Sequence, residues 1–155
     1  MPRICWESAL VAATAVHAGF QLSVTTLVYP ALGEVAPDAW TAAHACHSRR
    51  IVPLVGLVYG AVVVTSAGCA FTRPSVPTLA AAAASAGALA TTALVAAPLH
   101  GRLTPIRDPE LFARLLSADR WRSRLALVAL AAALGQVGRP SPVSSRWWRS
   151  STSES

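Results

Sequence analysis

Four long stretches of this 155-residue chain carry no charge, and that absence constrains the fold more than any motif. No Asp, Glu, Lys or Arg occurs in Ser8–Gly33, Ile51–Thr72, Pro74–Gly101 or Leu125–Gly138, runs of 26, 22, 28 and 14 residues. A helix rises ~1.5 Å per residue, so ~20 apolar residues cross a ~30 Å hydrocarbon core. Three runs are long enough, and the fourth becomes so if its helix starts near Trp121. The expected fold is all-α: an integral membrane four-helix bundle with spans at about 9–29, 51–71, 78–99 and 121–137. These fill a transmembrane domain over residues 1–138 and leave no length for a separate soluble domain.

Composition agrees. Only 13% of residues are charged, against ~25% in an average soluble domain. The net charge is +6, all 13 basic residues are Arg, and they sit at the ends of the apolar runs. Anionic lipid headgroups are therefore the expected partner, with the bilayer as solvent. Nucleic acid is not expected, because no basic run with interleaved aromatics occurs. Trp6, Trp40, Trp121, Trp147 and Trp148 all lie just outside the spans, as an aromatic belt would. Cys5, Cys46 and Cys69 read as small apolar fillers, with a Cys5–Cys69 bridge as the alternative. The first apolar run is too long for a signal-peptide core, so it reads as a span and the chain as a multi-pass protein of the plasma membrane.

Between the spans, Asp38 can cap a helix beginning near Ala39, and Asp108-Pro109-Glu110 marks another helix start. Leu111, Phe112, Leu115 and Leu116 recur at helical spacing, with Arg114 and Asp119 off that apolar face. Short amphipathic interfacial helices are thus expected before spans two and four. Span three is Ala-rich, which suits close packing against other helices. Residues 139–155 are Ser-rich with Pro140 and Pro142 and read as a disordered tail containing Arg146-Trp147-Trp148-Arg149. Eight Arg in the two longer loops favour placing those loops in the cytoplasm.

The polar residues gather at that same face. Trp40, His44, His47 and Ile51 form one stripe of a helix, and His100 closes span three. His44, His47 and His100 could converge on a metal, with Cu, Fe or Zn suited to imidazole. Interfacial histidines with ordinary hydrogen bonds, or a role in proton transfer, are the other readings. His17 and Gln21 are one turn apart in span one, where a buried imidazole should face the bundle interior. They suit a proton relay, a substrate hydrogen bond or a packing contact. Arg102, Arg120 and Arg122 could bind an anionic or quinone-like oxygen, with Trp121 against a ring, or else anchor the bundle.

A polar first span, Pro98-Leu99-His100-Gly101-Arg102-Leu103 closing span three, and Trp121 with Arg124 entering span four resemble one known group. It is the anthrone-oxygenase-like family of small four-helix bacterial membrane proteins. The likeness runs from about Ala9 to Val137. It implies oxidation of a polycyclic phenolic substrate with oxygen, with His100, Trp121 and Arg124 as the catalytic positions. Three functions stand as expectations: an oxygenase or redox-type enzyme acting on a hydrophobic aromatic or quinone-like small molecule, a non-catalytic accessory or scaffold protein, and a small transporter. A transporter this short would have to be a homo-oligomer.

Overall fold

The computed structural model describes residues 5–137, and its regular structure is entirely helical among those residues. Four long helices follow one another: α1 (Trp6–Gly33), α2 (Trp40–Thr72), α3 (Val76–Leu103) and α4 (Pro109–Val137). The expected tail over 139–155, with Trp147 and Trp148, lies outside the described residues.

α1 and α3 each contain one turn of π-helix, Val24–Val28 and Thr92–Ala96. The cause is a proline two residues beyond each turn, Pro30 and Pro98. Proline has no N–H for the carbonyl four residues back, and its ring pushes that carbonyl aside. The ladder widens to relieve the clash. The Tyr29 amide donates to the Val24 carbonyl and the Ala97 amide to the Thr92 carbonyl, each five residues back. Both helices are 28 residues long and each leads through a short loop into another long helix. The two halves of the chain are alike in plan, although no repeat is visible in the sequence.

Capping agrees with the sequence at α4, whereas α2 is preceded by Ala39, which offers no side-chain cap. The Asp108 carboxylate accepts from the Glu110 and Leu111 amides at 2.8 and 3.1 Å and starts α4. Asp38 accepts from the Ala39 amide at 3.1 Å, and α2 begins one residue later, at Trp40. Ser75 caps α3 by accepting from the Thr78 amide. The segments expected as interfacial helices before spans two and four are the first turns of α2 and α4, continuous with the remainder of each helix.

The helices pack in a ring, each against the next, with α4 closing on α1. The α3–α4 seam is the most extensive and the α2–α3 seam the least. Ala81, Ala84, Ser85 and Ala88 of α3 and Ala126, Ala129 and Ala133 of α4 are all buried. Small side chains let the two backbones approach, the packing available to helices when solvent is as apolar as leucine. The bundle is apolar outward: Val16, Leu27, Leu57, Val64, Leu79 and Leu94 are all exposed. α1, α2 and α3 are long and apolar enough to cross a membrane. α4 does not meet that standard, because Arg114, Asp119, Arg120, Arg122 and Arg124 occupy its first half.

The bundle has two unlike ends. At the turn end lie the α2–α3 turn, Trp6 and the end of α4. At the loop end lie the α1–α2 and α3–α4 loops, clamped together by Arg107. Its guanidinium donates to the Gly33 and Val35 carbonyls at 2.6 and 2.7 Å and lies over the Trp40 ring. It thereby caps the C-terminus of α1 with a cation. Trp40 is not a belt residue. It is 1% exposed, and its indole N–H donates to the Leu103 carbonyl at 2.8 Å.

Candidate functional site

A chain of hydrogen bonds runs inward from the loop end. His44 Nδ1 meets Thr104 Oγ1 at 3.3 Å, and His44 Nε2 meets His100 Nδ1 at 3.1 Å. His100 Nε2 meets the Tyr29 hydroxyl at 3.2 Å, and the Tyr29 oxygen accepts from Arg122 at 3.2 Å. Arg122 also donates to Asp119 at 2.7 Å, and Thr25 donates to the other Asp119 oxygen at 2.6 Å. All four helices contribute, and Asp119 and Arg122 are 1% and 5% exposed.

The chain has a direction. The Thr104 hydroxyl donates to the His100 carbonyl at 2.9 Å, so its single proton is committed. His44 Nδ1 must then be the donor to Thr104, which leaves Nε2 of a neutral His44 as an acceptor. His100 donates to it from Nδ1 and accepts at Nε2 from Tyr29. Tyr29 directs its own proton to His100 and accepts from Arg122. Every link then has one donor and one acceptor, and reversing the chain with neutral rings would require Thr104 to turn its proton from the His100 carbonyl to His44 Nδ1.

The chain borders a cavity of about 280 Å³. Tyr29, His100, Arg122, Thr92 and Gln21 supply its polar wall, and Phe20, Val24, Ile51 and Val55 its apolar wall. Val52 and Ala97 on its rim are exposed, so it opens outward through the loose α2–α3 seam, between apolar helix faces. Both π-turns border it, through Val24 and through Thr92 and Ala96. The widened turns carry Tyr29 and Thr92 to the polar wall. Gln21 is fully buried, and its amide has no protein partner among the described residues; the same holds for the Ser48 hydroxyl and Arg122 Nε. All three residues line this cavity.

The three histidines expected to converge do so. Ring centroids are 5.2 Å apart for His44 and His100, 5.8 Å for His47 and His100, and 6.4 Å for His44 and His47. His44 and His100 face each other, however, not a common point. Among the described residues no three His, Cys, Asp or Glu side chains are placed to hold one metal ion. Of the candidate substrate-binding residues, Gln21 and Arg122 line the cavity. His17 is fully buried one turn deeper, edge-on to Tyr59 at 4.7 Å. Tyr59 in turn bonds Thr92 at 2.8 Å.

The remaining candidates lie elsewhere. Trp121 is 56% exposed, with the Arg124 guanidinium 5.2 Å from its ring centre, and neither lines the cavity. Arg102 and Arg120 are exposed on the outer surface. Asp119, placed off the apolar face by its sequence, is instead one of the most buried side chains. Spacing and motif do not single out Tyr29, Thr25 or Thr104 as site residues. A signal for Tyr29 exists all the same: it continues the stripe of His17, Gln21 and Thr25 at four-residue steps. No family model, curated protein or solved structure matches the chain.

Proposed function

We propose that this chain is a multi-pass membrane protein whose four helices enclose a site for a lipid-soluble aromatic molecule with a phenol- or quinone-like oxygen. The site would exchange a proton with that oxygen, as a redox or oxygenase-type enzyme acting on such a substrate requires. The carrying observation is Arg122: a buried guanidinium, held by Asp119, on the wall of a mostly apolar cavity and bonded to the tyrosine that begins the relay. An apolar cavity with a few convergent polar groups is the usual form of a small-molecule site. Three properties of the bundle fit the bilayer: three apolar helices, an apolar exterior, and small and polar residues inside. In this reading α4 is the fourth crossing, its charges turned inward or kept at the loop end. The first turns of α2 and α4 lie at the interface.

The chemistry derives from the direction of the chain. A phenol entering through the α2–α3 seam donates its O–H to the free lone pair of the Tyr29 oxygen. Tyr29 passes its own proton to His100 Nε2. The substrate O–H bond breaks, a His100 N–H bond forms, and the phenolate faces the Arg122 guanidinium, whose Nε–H is free to bind it. His100 carries the positive charge and shares its Nδ1 proton with His44. Redox change at a phenol or quinone oxygen requires such proton exchange, and a fixed cation stabilises the anion that forms. The oxidation that the anthrone-oxygenase-like resemblance implies would act on this phenolate. His44 and His100 serve here as proton carriers.

The test is the absorbance of 1-naphthol added to the purified protein in nanodiscs, where naphthol and naphtholate are distinct. Saturable binding with a naphtholate spectrum at neutral pH is expected for the wild type. Binding as neutral naphthol is expected for Tyr29→Phe, and none for Arg122→Gln. Partitioning that never saturates, the same in all three proteins, would refute the reading.

A further inference from the structure

Arg102 and Trp121 do not reach the cavity, yet they meet on the outside of the bundle. They line a groove of about 650 Å³ between α3 and α4, together with Arg114, Leu94, Val95 and Leu99. The groove is graded along its length. Its end nearest the loops carries Arg102, in the last turn of α3, and Arg114, in the second turn of α4. Its other end is hydrocarbon: Leu94 is 76% and Val95 42% exposed, with the groove as their nearest shelter. Arg102 stands eight residues beyond Leu94, about 12 Å along the helix at ~1.5 Å per residue. Trp121, half exposed and backed by Arg124, walls the apolar part from α4, seven residues or about 10 Å beyond Arg114.

Neither Arg102 nor Arg114 has a carboxylate within 4.0 Å among the described residues. Arg122, only one residue from Trp121, has its acid; these two do not. Two exposed guanidiniums without an acid, above an apolar trough walled by an indole, match one kind of occupant by charge and by shape. It has an anionic head and an acyl chain.

We infer that the α3–α4 groove is a binding site for an anionic phospholipid, with Arg102 and Arg114 on the phosphate and Trp121, Leu94 and Val95 along one acyl chain. The site is independent of the cavity, which opens on a different seam. A cation at the headgroup level favours an anionic surface by roughly fivefold, so two give roughly 25-fold.

Native mass spectrometry of protein released from nanodiscs tests this. With equal phosphatidylglycerol and phosphatidylcholine, the wild type should retain one phosphatidylglycerol preferentially. Arg102→Gln/Arg114→Gln should lose roughly 25-fold of that preference. Arg102→Lys/Arg114→Lys should keep most of it. Arg49→Gln/Arg50→Gln, which removes two exposed charges from the same end on α2, should leave it unchanged. The inference falls if the two lipids are retained equally, or if the α2 pair matters as much as the groove pair, which would mean diffuse attraction. It also falls if millimolar inorganic phosphate displaces the lipid. Should the double Gln variant not fold, Trp121→Leu with Leu94→Asn tests the same groove without touching its charges: retention must drop, and unchanged retention overturns the site. Naphthol binding in the cavity is expected to survive every groove variant, so this site and the proposed function fail separately.

Discussion

At the turn end of the bundle the polar side chains close on one another; at the loop end they are strung into a line that stops at a cavity. Thr78 is the hub of the first group, bonding Gln136 and Ser75 at 2.8 Å each, with Cys69 alongside. Trp6 lies against the Cα of Gly68, and Glu7 faces Arg73 across the surface at 3.6 Å. None of this borders the cavity. The loop end instead places a buried ion pair, two facing histidines and a tyrosine along a wall of empty volume, and leaves the Gln21 amide and Ser48 hydroxyl without protein partners among the described residues. Buried polar groups are ordinarily paired. Both ends leave some buried polar atoms without protein partners among the described residues, Gln136 Nε2 at the turn end among them, but those of Gln21, Ser48 and Arg122 belong to residues that line the cavity, where a ligand would supply the missing partners.

Removing Arg122 should separate the two ends most sharply. Arg122→Leu leaves Asp119 buried and unpaired, a loss of about 3–5 kcal/mol. Melting in detergent should fall steeply and naphthol binding should vanish. Asp119→Asn/Arg122→Leu removes both charges and should recover most of the stability but none of the binding. If the double variant binds naphthol as the wild type does, the guanidinium has no part in the site.

Gly68→Ala at the turn end should have the opposite profile. The new methyl group would overlap the Trp6 indole, so the ring must leave the surface it covers. Overpacking of this kind costs about 1–3 kcal/mol. Melting should fall while naphthol affinity in the folded protein stays unchanged. A fall in affinity equal to that of a cavity variant would show that the ends are coupled.

Tyr29→Phe keeps the ring and removes the link between Arg122 and His100. A hydrogen bond to a charged group contributes about 1.5–3 kcal/mol, so affinity should fall roughly tenfold or more. The melting temperature should change far less than for Arg122→Leu. The bound molecule should remain neutral naphthol, and a persisting naphtholate spectrum would mean that the proton reaches its base without Tyr29 as the relay.

Much of this contrast is legible in the sequence. Charge-free runs locate the helices, and the His44–His47 spacing with His100 at a helix end brings three rings together. What spacing alone does not tell is which arginine of Arg120, Arg122 and Arg124 turns inward. That depends on the α4 register, set by Leu111, Leu115, Ala118, Ala126, Ala129 and Ala133, all buried. Arg122 lies seven residues after Leu115 and four before Ala126, in that stripe, so the alanines carry the information more than the charges do. Asp119 lies four residues after Leu115 and three after Leu116, on the apolar face of α4 by spacing, so only its charge, and not its position, argues for placing it off that face. Tyr29 is masked by its place beside Pro30, which reads as a helix stop. Here the proline widens α1 into a π-turn and the helix continues to Gly33. Trp40 is masked by the general habit of tryptophan at interfaces, since nothing local announces that a carbonyl 63 residues later will take its N–H.

The smallest expected effect tests the direction of the chain. Thr104→Val keeps the shape of the side chain but deprives His44 Nδ1–H of its acceptor. His44 can then carry its proton on either nitrogen, and half of those states place an N–H against His100 Nδ1, which ceases to be a donor there. His100 Nε2 would then hold the proton itself and could not accept from Tyr29. Naphthol affinity should be nearly unchanged, because Arg122 and Tyr29 are untouched. The share bound as naphtholate should fall by about twofold at most, because half of the His44 states still leave the relay intact. Loss of affinity without loss of naphtholate would mean that Thr104 shapes the pocket and does not orient the relay.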